Sequence, residues 1–437
     1  MTYLTDFSTY YALMQDAEML SLVCALVAVL AALLGIGLAT AGLRRTGTLA
    51  RPARTDATEE AAPLTGPKLS VLVHGVSDPD SILAYLAELE RQTYTDRETI
   101  LIYEGTAEAA RSLSERVAAR FSGVRLTFMP PGSHNLSRRK MALTLGMKAA
   151  TGDVVLTTAS NCIIPSDQWL ADMMRPFSEK PGCDIVLGYS HIDFSEMTGP
   201  GRWFRQFDAL VTSSAWIGAA LAGHPYRGDG YNLAFRRHLF FEHNGYARSA
   251  YLHYGDDDLF VSEIATPENT VLVITPQTCL TTVWGTAANR IWTDRKERYS
   301  FTQRWLRKTP FLLNALLGWS NWGALLGAAG AIALGIWTLP DSFPVGALLA
   351  IVVLCVFWNL EIMVYRRAAS ALGAVRLWWG VVPFMLWRPL ANLIFRLRHR
   401  SHRFANYTWQ RHRPSYIVDY FTQRLRRARR ARLRRRG

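Results

Sequence analysis

An apolar stretch of 25 residues near the start of the chain constrains the fold more than any other feature. Met19–Leu43 contains no Asp, Glu, Lys or Arg, and a helix that spans a bilayer needs about 20 consecutive apolar residues. The 18 residues before it include three acids and no basic residue. A cleavable signal peptide, the alternative interpretation, carries basic residues there. The pattern therefore predicts a retained transmembrane anchor over residues 19–43.

The charges that flank this anchor predict its orientation. Arg44, Arg45, Arg51 and Arg54 follow it closely, and cytoplasmic flanks are enriched in Lys and Arg. Residues 1–18 are therefore predicted outside the membrane. Residues 44–67 form a basic, Pro-containing linker that leads to a cytoplasmic domain.

Two further apolar segments lie near the other end. Residues 309–339 predict a short interfacial piece followed by a transmembrane helix, and Pro344–Tyr365 predicts another span. The turn between them has no basic residue, whereas Arg366 and Arg367 directly follow the second span. This pattern indicates a hairpin that enters from the cytoplasm and returns to it.

A last apolar stretch, residues 372–395, is ambiguous. It includes Arg376, Arg388, Pro383 and Pro389, which suits an interfacial or re-entrant helix better than a crossing. If it did cross, the basic C-terminus would lie outside, against the charge rule. We predict three crossings and a cytoplasmic C-terminus, in a bacterial inner membrane.

The net charge of the chain is concentrated in residues 396–437. The whole chain has 49 Lys and Arg against 35 Asp and Glu, and this tail contains fifteen Arg and one acid. Its net charge of +14 equals that of the whole protein. Binding to anionic lipid headgroups is the predicted role, and a pure topology signal is the alternative. Nucleic acid is not an expected partner, because no nucleic-acid-binding motif accompanies the charge.

Between residues 68 and 308, strand and helix patterns alternate. This alternation predicts an α/β domain with a predominantly parallel sheet, flanked by transmembrane helices. Ligands of such sheets bind at the carboxyl ends of the strands. The predicted strands are Leu69–Gly75, Glu98–Tyr103, Val124–Phe128 and Val154–Thr158, and the predicted helices are Asp80–Arg91, Ala107–Phe121 and Ser137–Ala150.

Three consecutive acids, Asp256, Asp257 and Asp258, are the best candidates for acid–base chemistry. Crowded carboxylates repel one another, so at least one pKa should rise toward that of a useful base. A solvated acidic turn is the alternative. Gly255 before the acids and Leu259 after them favour the start of a buried helix.

At this point the chain resembles a family. The resemblance rests on a strand that ends in acid-Gly-Thr (Glu104–Thr106), a K-x-x-A-L helix (Lys140), G-x-G-x-N-x-x-F-R (Gly228–Arg236), a D-D-D-L cluster and R-x-x-R-Y (Arg295–Tyr299). In this order, and with flanking membrane segments, they resemble membrane-anchored family 2 glycosyltransferases of the GT-A fold, similar to ceramide glucosyltransferases and polysaccharide synthases. The similarity extends over roughly residues 20 to 395.

The resemblance implies an inverting glycosyltransferase with a GT-A-like nucleotide-sugar domain at residues 68–308. Its partners would be a nucleotide sugar and a lipid-linked or glycan acceptor. The small number of crossings favours transfer of a single sugar to a lipid over processive export. The implied catalytic residues are Asp256 and Asp257. The residues implied to bind the donor and its diphosphate are Glu104, Lys140, Asn161, Arg295, Arg298 and Tyr299. The residues implied on the acceptor side are Asn232 and Asp258.

The chain departs from the family where the family binds metal. A D-x-D pair would hold Mg²⁺ or Mn²⁺, but Ala159, Ser160 and Asn161 stand there. Ala159 offers no ligand, and Asn161 offers one neutral oxygen, a weak ligand for a hard cation. Three hypotheses stay open: cationic side chains neutralise the diphosphate, metal binds weakly, or the chain is a catalytically impaired partner in envelope polysaccharide assembly.

Overall fold

The structure is a computed structural model of the full chain. It describes residues 4–49, 66–75, 78–129, 137–199, 201–250, 252, 254–284, 288–339 and 343–399. Most of the predicted linker and almost all of the arginine-rich tail lie outside the described residues. The predictions for those two segments therefore stay predictions.

Alternating strands and helices build the first half of the domain, close to the predicted bounds. The strands are β1 (Leu69–Gly75), β2 (Arg97–Glu104), β3 (Val124–Met129) and β4 (Val154–Ala159). The helices between them are α3 (Pro79–Glu90), α4 (Ala107–Ala118) and α5 (Arg138–Ala149). Side-chain caps explain two helix starts, because Asp78 accepts a hydrogen bond from the Ser81 N–H and Thr106 accepts one from the Ala109 N–H.

The main sheet has seven strands in the order β3-β2-β1-β4-β8-β6-β9. Its remaining strands are β6 (Ile185–Leu187), β8 (Leu233–Arg236) and β9 (Thr270–Leu272). β8 runs antiparallel to both of its neighbours, and the other pairings are parallel. The prediction of an α/β fold with a mostly parallel sheet is confirmed.

A second, smaller sheet has three strands. Its order is β5 (Cys162–Ile163), β10 (Leu280–Thr282) and β7 (Ser190–Ile192). The hydrophobic core lies on both faces of the large sheet. β4, every residue of which is buried, contributes to both of these clusters. A continuous apolar strand of this kind is expected at the centre of a parallel sheet.

The remaining helices connect and flank these sheets. They are α6 (Trp169–Glu179), α7 (Gly201–Leu221), α8 (Arg237–Glu242), α9 (Asp258–Ile264) and α10 (Ala288–Thr302) within the domain, and α11 (Lys308–Thr338), α12 (Val345–Ala371) and α13 (Val381–His399) after it. The first helix, α1 (Leu4–Ala39), continues through a π-helical turn, Thr40–Arg44, into α2 (Arg45–Thr48).

Three helices are long and apolar enough to cross a membrane: Ala12–Thr48, Lys308–Thr338 and Val345–Ala371. They pack against one another through small residues such as Ala28, Ala324 and Ala350, which are fully buried, while large residues such as Leu30 and Leu33 are exposed. Small residues inside and large apolar residues outside are typical of membrane helix bundles. The predicted interfacial piece before the second span is not separate, because α11 is one uninterrupted helix.

The ambiguous segment forms a short 3₁₀ turn, Trp378–Gly380, followed by α13. Helix α13 is not among the three candidate spans. It packs against α7 and α11, and its Arg388 is buried against Asp208 of α7. An in-plane position at the membrane surface stays a prediction for this helix.

Candidate active site

The carboxyl ends of three strands meet at one edge of the sheet. His74 of β1 is paired with Ala159 of β4, and the next residue, Gly75, is paired with Tyr103 of β2. Glu104, at the end of β2, reaches across to β1, where its Oε1 lies 3.0 Å from His74 Nε2. The sheet edge that the sequence predicts as a ligand site therefore exists, and it begins at these residues.

Glu104 also contacts the start of α5. Its Oε2 lies 3.0 Å from an Arg138 guanidinium nitrogen. The hydrogen bond from His74 is the main reason that the pKa of Glu104 lies below its ordinary value, and Arg138 adds to it against the effect of burial. Glu104 is therefore an ionised, half-buried carboxylate at the strand end.

Arg139, the next residue, joins this edge to the acidic loop. Its Nε lies 2.5 Å from Asp256 Oδ2, and its Nη2 donates to the Gly230 carbonyl at 3.2 Å. Its guanidinium also lies 4.6 Å from the centre of the Tyr231 ring. The Arg139 side chain is thus largely enclosed by these groups, with 14% of its surface exposed.

The three acids differ sharply in their surroundings, beginning with Asp256. Its carboxylate is buried, and it pairs with Arg139 and, at 4.0 Å, with Arg298 Nη1. Burial works to raise the pKa of Asp256, but Arg139, Arg298 and Lys140 outweigh it, so the pKa lies below its ordinary value. Asp256 is accordingly an ionised anchor for two arginines.

Asp257 has no ion pair among the described residues. Its Oδ2 accepts from the Gly230 N–H at 3.1 Å, and its Oδ1 accepts from the Asp258 N–H at 2.8 Å, which caps α9. Burial first, and then the neighbouring carboxylates of Asp258 and Asp256, raise the pKa of Asp257 to about 7. It is also the only one of the three acids that keeps a partly exposed side chain. These properties are those of a general base at neutral pH.

Asp258 is a structural acid. It is 1% exposed, its Oδ1 lies 2.9 Å from Arg227 Nε, and it accepts from the Thr302 hydroxyl at 2.6 Å. These contacts tie α9 to the end of α10. The prediction that Asp258 faces an acceptor is therefore wrong, because its carboxylate is enclosed by these two partners.

Two other predicted site residues are corrected by their burial. Lys140 is 2% exposed, and its Nζ donates to the carbonyls of Ser249, Leu252 and Tyr254 at 2.7, 3.2 and 2.9 Å. All three ammonium hydrogens are used, so Lys140 positions the segment before the acidic loop instead of binding a diphosphate.

Asn232 is fully buried, and it is also structural. Its Oδ1 accepts from the Trp169 indole at 3.1 Å, and its Nδ2 donates to the carbonyls of Tyr189 and Thr278. No polar atom of this amide is left for an acceptor. The family-like G-x-G-x-N motif thus positions a loop, while its Gly230 contacts Arg139 and Asp257.

Helix α10 carries the three predicted residues of the R-x-x-R-Y motif. Arg298 points to Asp256, and it also lies 5.2 Å from the Tyr254 ring centre. Arg295 donates a long hydrogen bond of 3.5 Å to the Ser190 carbonyl. The Tyr299 ring lies 3.7 Å from the Arg227 guanidinium. Two arginines one turn apart therefore share α10, with Arg298 beside the acidic loop and Arg295 beside β7, and such a pair suits an anion site.

The end of β4 offers little to a metal ion. Ala159 has no ligand atom, and the Asn161 side chain donates to the Val283 carbonyl at 3.2 Å. The single oxygen of this side chain, Asn161 Oδ1, is buried without a hydrogen-bond partner. Within the described ranges, no three His, Cys, Asp or Glu side chains converge as metal ligands.

Sequence reasoning missed His74, Arg139 and Arg227 as site residues. Arg139 adjoins the Lys140 motif. Its position in the first turn of α5 could have indicated a site residue. His74 is the penultimate residue of β1, so its place near the carboxyl end of a strand was itself a signal. Arg227 left no such signal, because only the fold brings it to Asp258.

Comparison with known proteins gives structural neighbours only. No protein-family model matches the chain, and no curated protein does. A mannosyltransferase from Pyrobaculum calidifontis, solved with GDP-Man and Mn²⁺, is 18% identical with a TM-score of 0.48, and the match covers 86% of this chain and 99% of that one.

A second neighbour is glucosyl-3-phosphoglycerate synthase from Mycobacterium tuberculosis, solved with Mn²⁺ and uridine-diphosphate-glucose. It is 16% identical with a TM-score of 0.28, and the match covers 40% of this chain and 58% of that one. Both neighbours are glycosyltransferases that were solved with a nucleotide sugar. Identity and TM-score are low in both, so the function below rests on this chain's own geometry.

Proposed function

We propose that the protein is a membrane-bound glycosyltransferase that moves a sugar from a nucleotide-sugar donor to a lipid-linked or polysaccharide acceptor. One observation carries the proposal. Asp257, whose pKa is raised to about 7, is partly exposed and adjoins Asp256, whose carboxylate Arg139 and Arg298 flank. A base and fixed cations are what glycosyl transfer from a diphosphate requires.

The reaction would be a single displacement with inversion. Asp257 accepts the proton of the acceptor hydroxyl while that oxygen attacks the anomeric carbon. The bond from this carbon to the diphosphate oxygen breaks, and the diphosphate leaves with the electron pair. Asp256 is the less suitable base, because Arg139 and Arg298 hold it in its ionised form.

Cationic side chains would neutralise the departing diphosphate. Arg298 and Arg295 are one helical turn apart on α10, and Arg138 lies next to Glu104 at the strand end. Planar guanidinium groups can donate two parallel hydrogen bonds to such oxyanions. Glu104 is proposed to contact the nucleoside, and Tyr299 to support Arg227 beneath the site.

A divalent cation is the cofactor that the Mn²⁺-containing neighbours suggest. The residues of this chain fit it poorly, because Asn161 Oδ1 is the single free oxygen at the end of β4 and is uncharged. Mg²⁺ or Mn²⁺ would supply charge neutralisation there. None of the steps above depends on it.

The test combines donor binding with turnover. UDP- and GDP-sugars should raise the melting temperature of the purified full chain, and one of them should be hydrolysed or transferred. Arg298→Ala should lower turnover by about 100-fold, the usual effect of one lost contact to a transition-state charge. Arg304→Ala is the matched control, because Arg304 is exposed just beyond α10. Equal activity in both variants would contradict the role of Arg298.

The second candidate function is that of a non-catalytic partner in envelope polysaccharide assembly. The observation that favours it is Ala159 at the end of β4, together with the single neutral oxygen of Asn161. Such a partner could still bind a nucleotide sugar. Binding without hydrolysis or transfer, under every metal condition, would support this function over the first.

A further inference from the structure

A cavity of about 110 Å³ lies between α7, α10, α11 and α13. Arg295 and Tyr299 of the candidate active site line it, so it adjoins that site. Its charged lining residues are five bases and one acid: Arg227, Arg295, Lys296, Arg388, Arg396 and Asp208. A cavity with this lining favours an anionic ligand.

Some of this positive charge is already matched. The two carboxylate oxygens of Asp208 accept from Lys296 and Arg388, both at 2.8 Å, and Arg227 pairs with Asp258. In the part of the chain that the structure describes, no ion pair joins Arg295 or Arg396 to a carboxylate. Two guanidinium groups at this cavity therefore lack a bound acid.

An apolar cavity of about 280 Å³ lies beside the basic one. It is bounded by the end of the first helix, by α7 and by α11, with Leu38, Val211 and Leu313 among its lining residues. Asn314 of α11 lines both cavities. The end of the first helix and the start of α11 are the ends that the charge pattern assigns to the cytoplasmic membrane surface. Arg45 and Arg307 also line this mainly apolar cavity, so both cavities lie near that predicted surface, where the chain and the headgroup of one lipid would meet.

We infer that the two cavities together bind one phosphate-bearing lipid, with the phosphate near Arg295 and Arg396 and the apolar chain along Leu313. The lipid would be the acceptor of the transfer, and that role rests on the proposed function. The small basic cavity accommodates a phosphate group more readily than a nucleotide. Guanidinium forks suit phosphate oxygens, and Trp292, Phe311 and Phe395 are aromatic residues of the cavity lining.

The position of α10 connects this lipid site to the chemistry. Arg298 points to Asp256, and Arg295, one turn earlier, lines the basic cavity. This inference reassigns Arg295, which the proposed function places at the donor diphosphate, to the acceptor phosphate, and it leaves Arg298 and Arg138 to the diphosphate. A headgroup held by Arg295 would lie one helical turn from the cleft of the proposed base.

The first experiment measures binding of three probes to the purified full chain in detergent: hexadecyl phosphate, hexadecanol and inorganic phosphate. Hexadecyl phosphate should bind at least about tenfold more tightly than either of the others, because only it offers both groups. Equal binding of inorganic phosphate would show a free-phosphate site and overturn the inference. Equal binding of hexadecanol would show an apolar pocket alone and also overturn it.

Matched variants then locate the site. Arg396→Gln should weaken binding of hexadecyl phosphate about fivefold and leave hexadecanol unchanged, whereas Arg398→Gln, exposed on the same helix, should change neither. Leu313→Trp should weaken binding of both long-chain probes, whereas Leu312→Trp, whose side chain is 59% exposed, should not. If Leu313→Trp does not fold, Ala215→Leu fills the same cavity. Loss of binding in a control variant, or its persistence in a cavity variant, would contradict the inference.

Nucleotide-sugar binding separates this inference from the proposed function. If UDP or GDP sugars bind and hexadecyl phosphate does not, the lipid site is wrong and the proposed function stands. If hexadecyl phosphate binds but no sugar is turned over, the lipid site stands and its role as acceptor is wrong. Competition between hexadecyl phosphate and the nucleotide would place the phosphate in the donor site and overturn the inference.

Discussion

The acidic loop shows how neighbours give one residue type three different properties. Asp256 is ionised by its two arginines, Asp258 is enclosed by Arg227 and Thr302, and Asp257 receives only backbone N–H groups. The pKa values diverge accordingly, with that of Asp256 lowered and that of Asp257 raised. Such divergence in adjacent carboxyls separates a base from its supporting charges.

Asp257→Asn should abolish turnover and stabilise the fold above neutral pH. A carboxyl whose folded pKa is about 7, against an ordinary value of about 3.9, keeps its proton in the native state, and stability falls as pH rises between these values. Activity should rise through the upper part of that window as Asp257 deprotonates. Rate against pH and melting temperatures at pH 5 and pH 8 check both effects.

Asp167→Asn, at an exposed loop position, is the control for this substitution. It should leave both the rate profile and the melting temperatures unchanged. A stabilisation by Asp257→Asn that is the same at pH 5 and pH 8 would contradict the raised pKa. Full turnover in that variant would exclude Asp257 as the base.

Lys140→Met should lower the free energy of unfolding by about 3 kcal/mol. It removes one hydrogen bond from each of three carbonyls, of which that of Ser249 also accepts from the Leu252 N–H at 2.9 Å, and the lost partners carry a desolvation cost. Lys148→Met on the same helix is the control, since Lys148 is exposed. Chemical denaturation of both variants is the measurement, and equal stability would show that the carbonyls find water instead.

At the scale of elements, α10 organises the site. Lys296, Arg298 and Thr302 on this one helix bind Asp208 of α7, Asp256 of the acidic loop and Asp258 at the start of α9. The helix lies immediately before α11, the second candidate membrane span. The candidate site is therefore connected through α10 to a helix that is predicted to cross the membrane.

The π-helical turn Thr40–Arg44 marks a close approach of the first helix to α7. A Cβ on Gly218 would overlap the Ala41 carbonyl oxygen, and one on Gly42 would lie 3.2 Å from the Ser214 carbonyl oxygen. Backbones can approach in this way only where side chains are absent. The contact joins the predicted anchor to the catalytic domain.

Gly218→Ala should therefore lower the melting temperature of the detergent-solubilised protein by several degrees. The added methyl group meets backbone, which cannot rotate away. Gly37→Ala in the first helix is the matched control, because a Cβ there meets nothing within 4 Å and Ala favours helix. The melting temperature should thus fall in Gly218→Ala and rise slightly in Gly37→Ala. An unchanged melting temperature in Gly218→Ala would show that the two helices can separate freely.

At the scale of the whole molecule, charge and hydrophobicity divide the chain into parts with different surroundings. Three helices carry exposed apolar surfaces, while the basic residues cluster beside their predicted cytoplasmic ends. The cytoplasmic position of the α/β domain and the identity of the membrane stay predictions. The arginine-rich tail, which lies beyond the described residues, enters this picture through its charge alone.

Of two reporters fused after Gly437, the one that works only in the cytoplasm should be active, and the one that works only outside the membrane should be inactive. Fifteen arginines precede this position in the tail, and translocating them would oppose the positive-inside rule. A fusion at Met1 should report the opposite side. Activity of the C-terminal reporter outside the membrane would make residues 372–395 a true crossing.

Chelation of metal should reduce turnover less than Asp257→Asn does. Fixed arginines supply part of the neutralising charge, and the end of β4 offers a divalent cation one neutral oxygen. Turnover with EDTA, with Mg²⁺ and with Mn²⁺ gives the comparison. If EDTA abolishes activity as completely as the substitution, charge compensation is wrong and Asn161 becomes a genuine ligand.

The α/β alternation, the three apolar helices and the acidic loop at a helix start could all be predicted from the amino-acid sequence alone. These depend on hydrophobic period, on caps and on local spacing, which a single segment contains. For that reason the predicted bounds agree with the structure to within a residue for β1 and β2, and the acidic loop does begin α9. The resemblance also named Glu104, Asp256 and Arg298, and their shared role in one site stays a prediction.

Which polar side chains are accessible at the candidate site could not be predicted without the three-dimensional structure. Lys140, Asn232 and Asp258 lie in the right motifs, yet each is buried with its polar atoms bound to other segments. Their partners are distant in sequence, and no local pattern encodes such pairings. The same holds for Arg139 and Arg227, because whether a charged side chain is solvated or buried depends on what the rest of the chain packs around it.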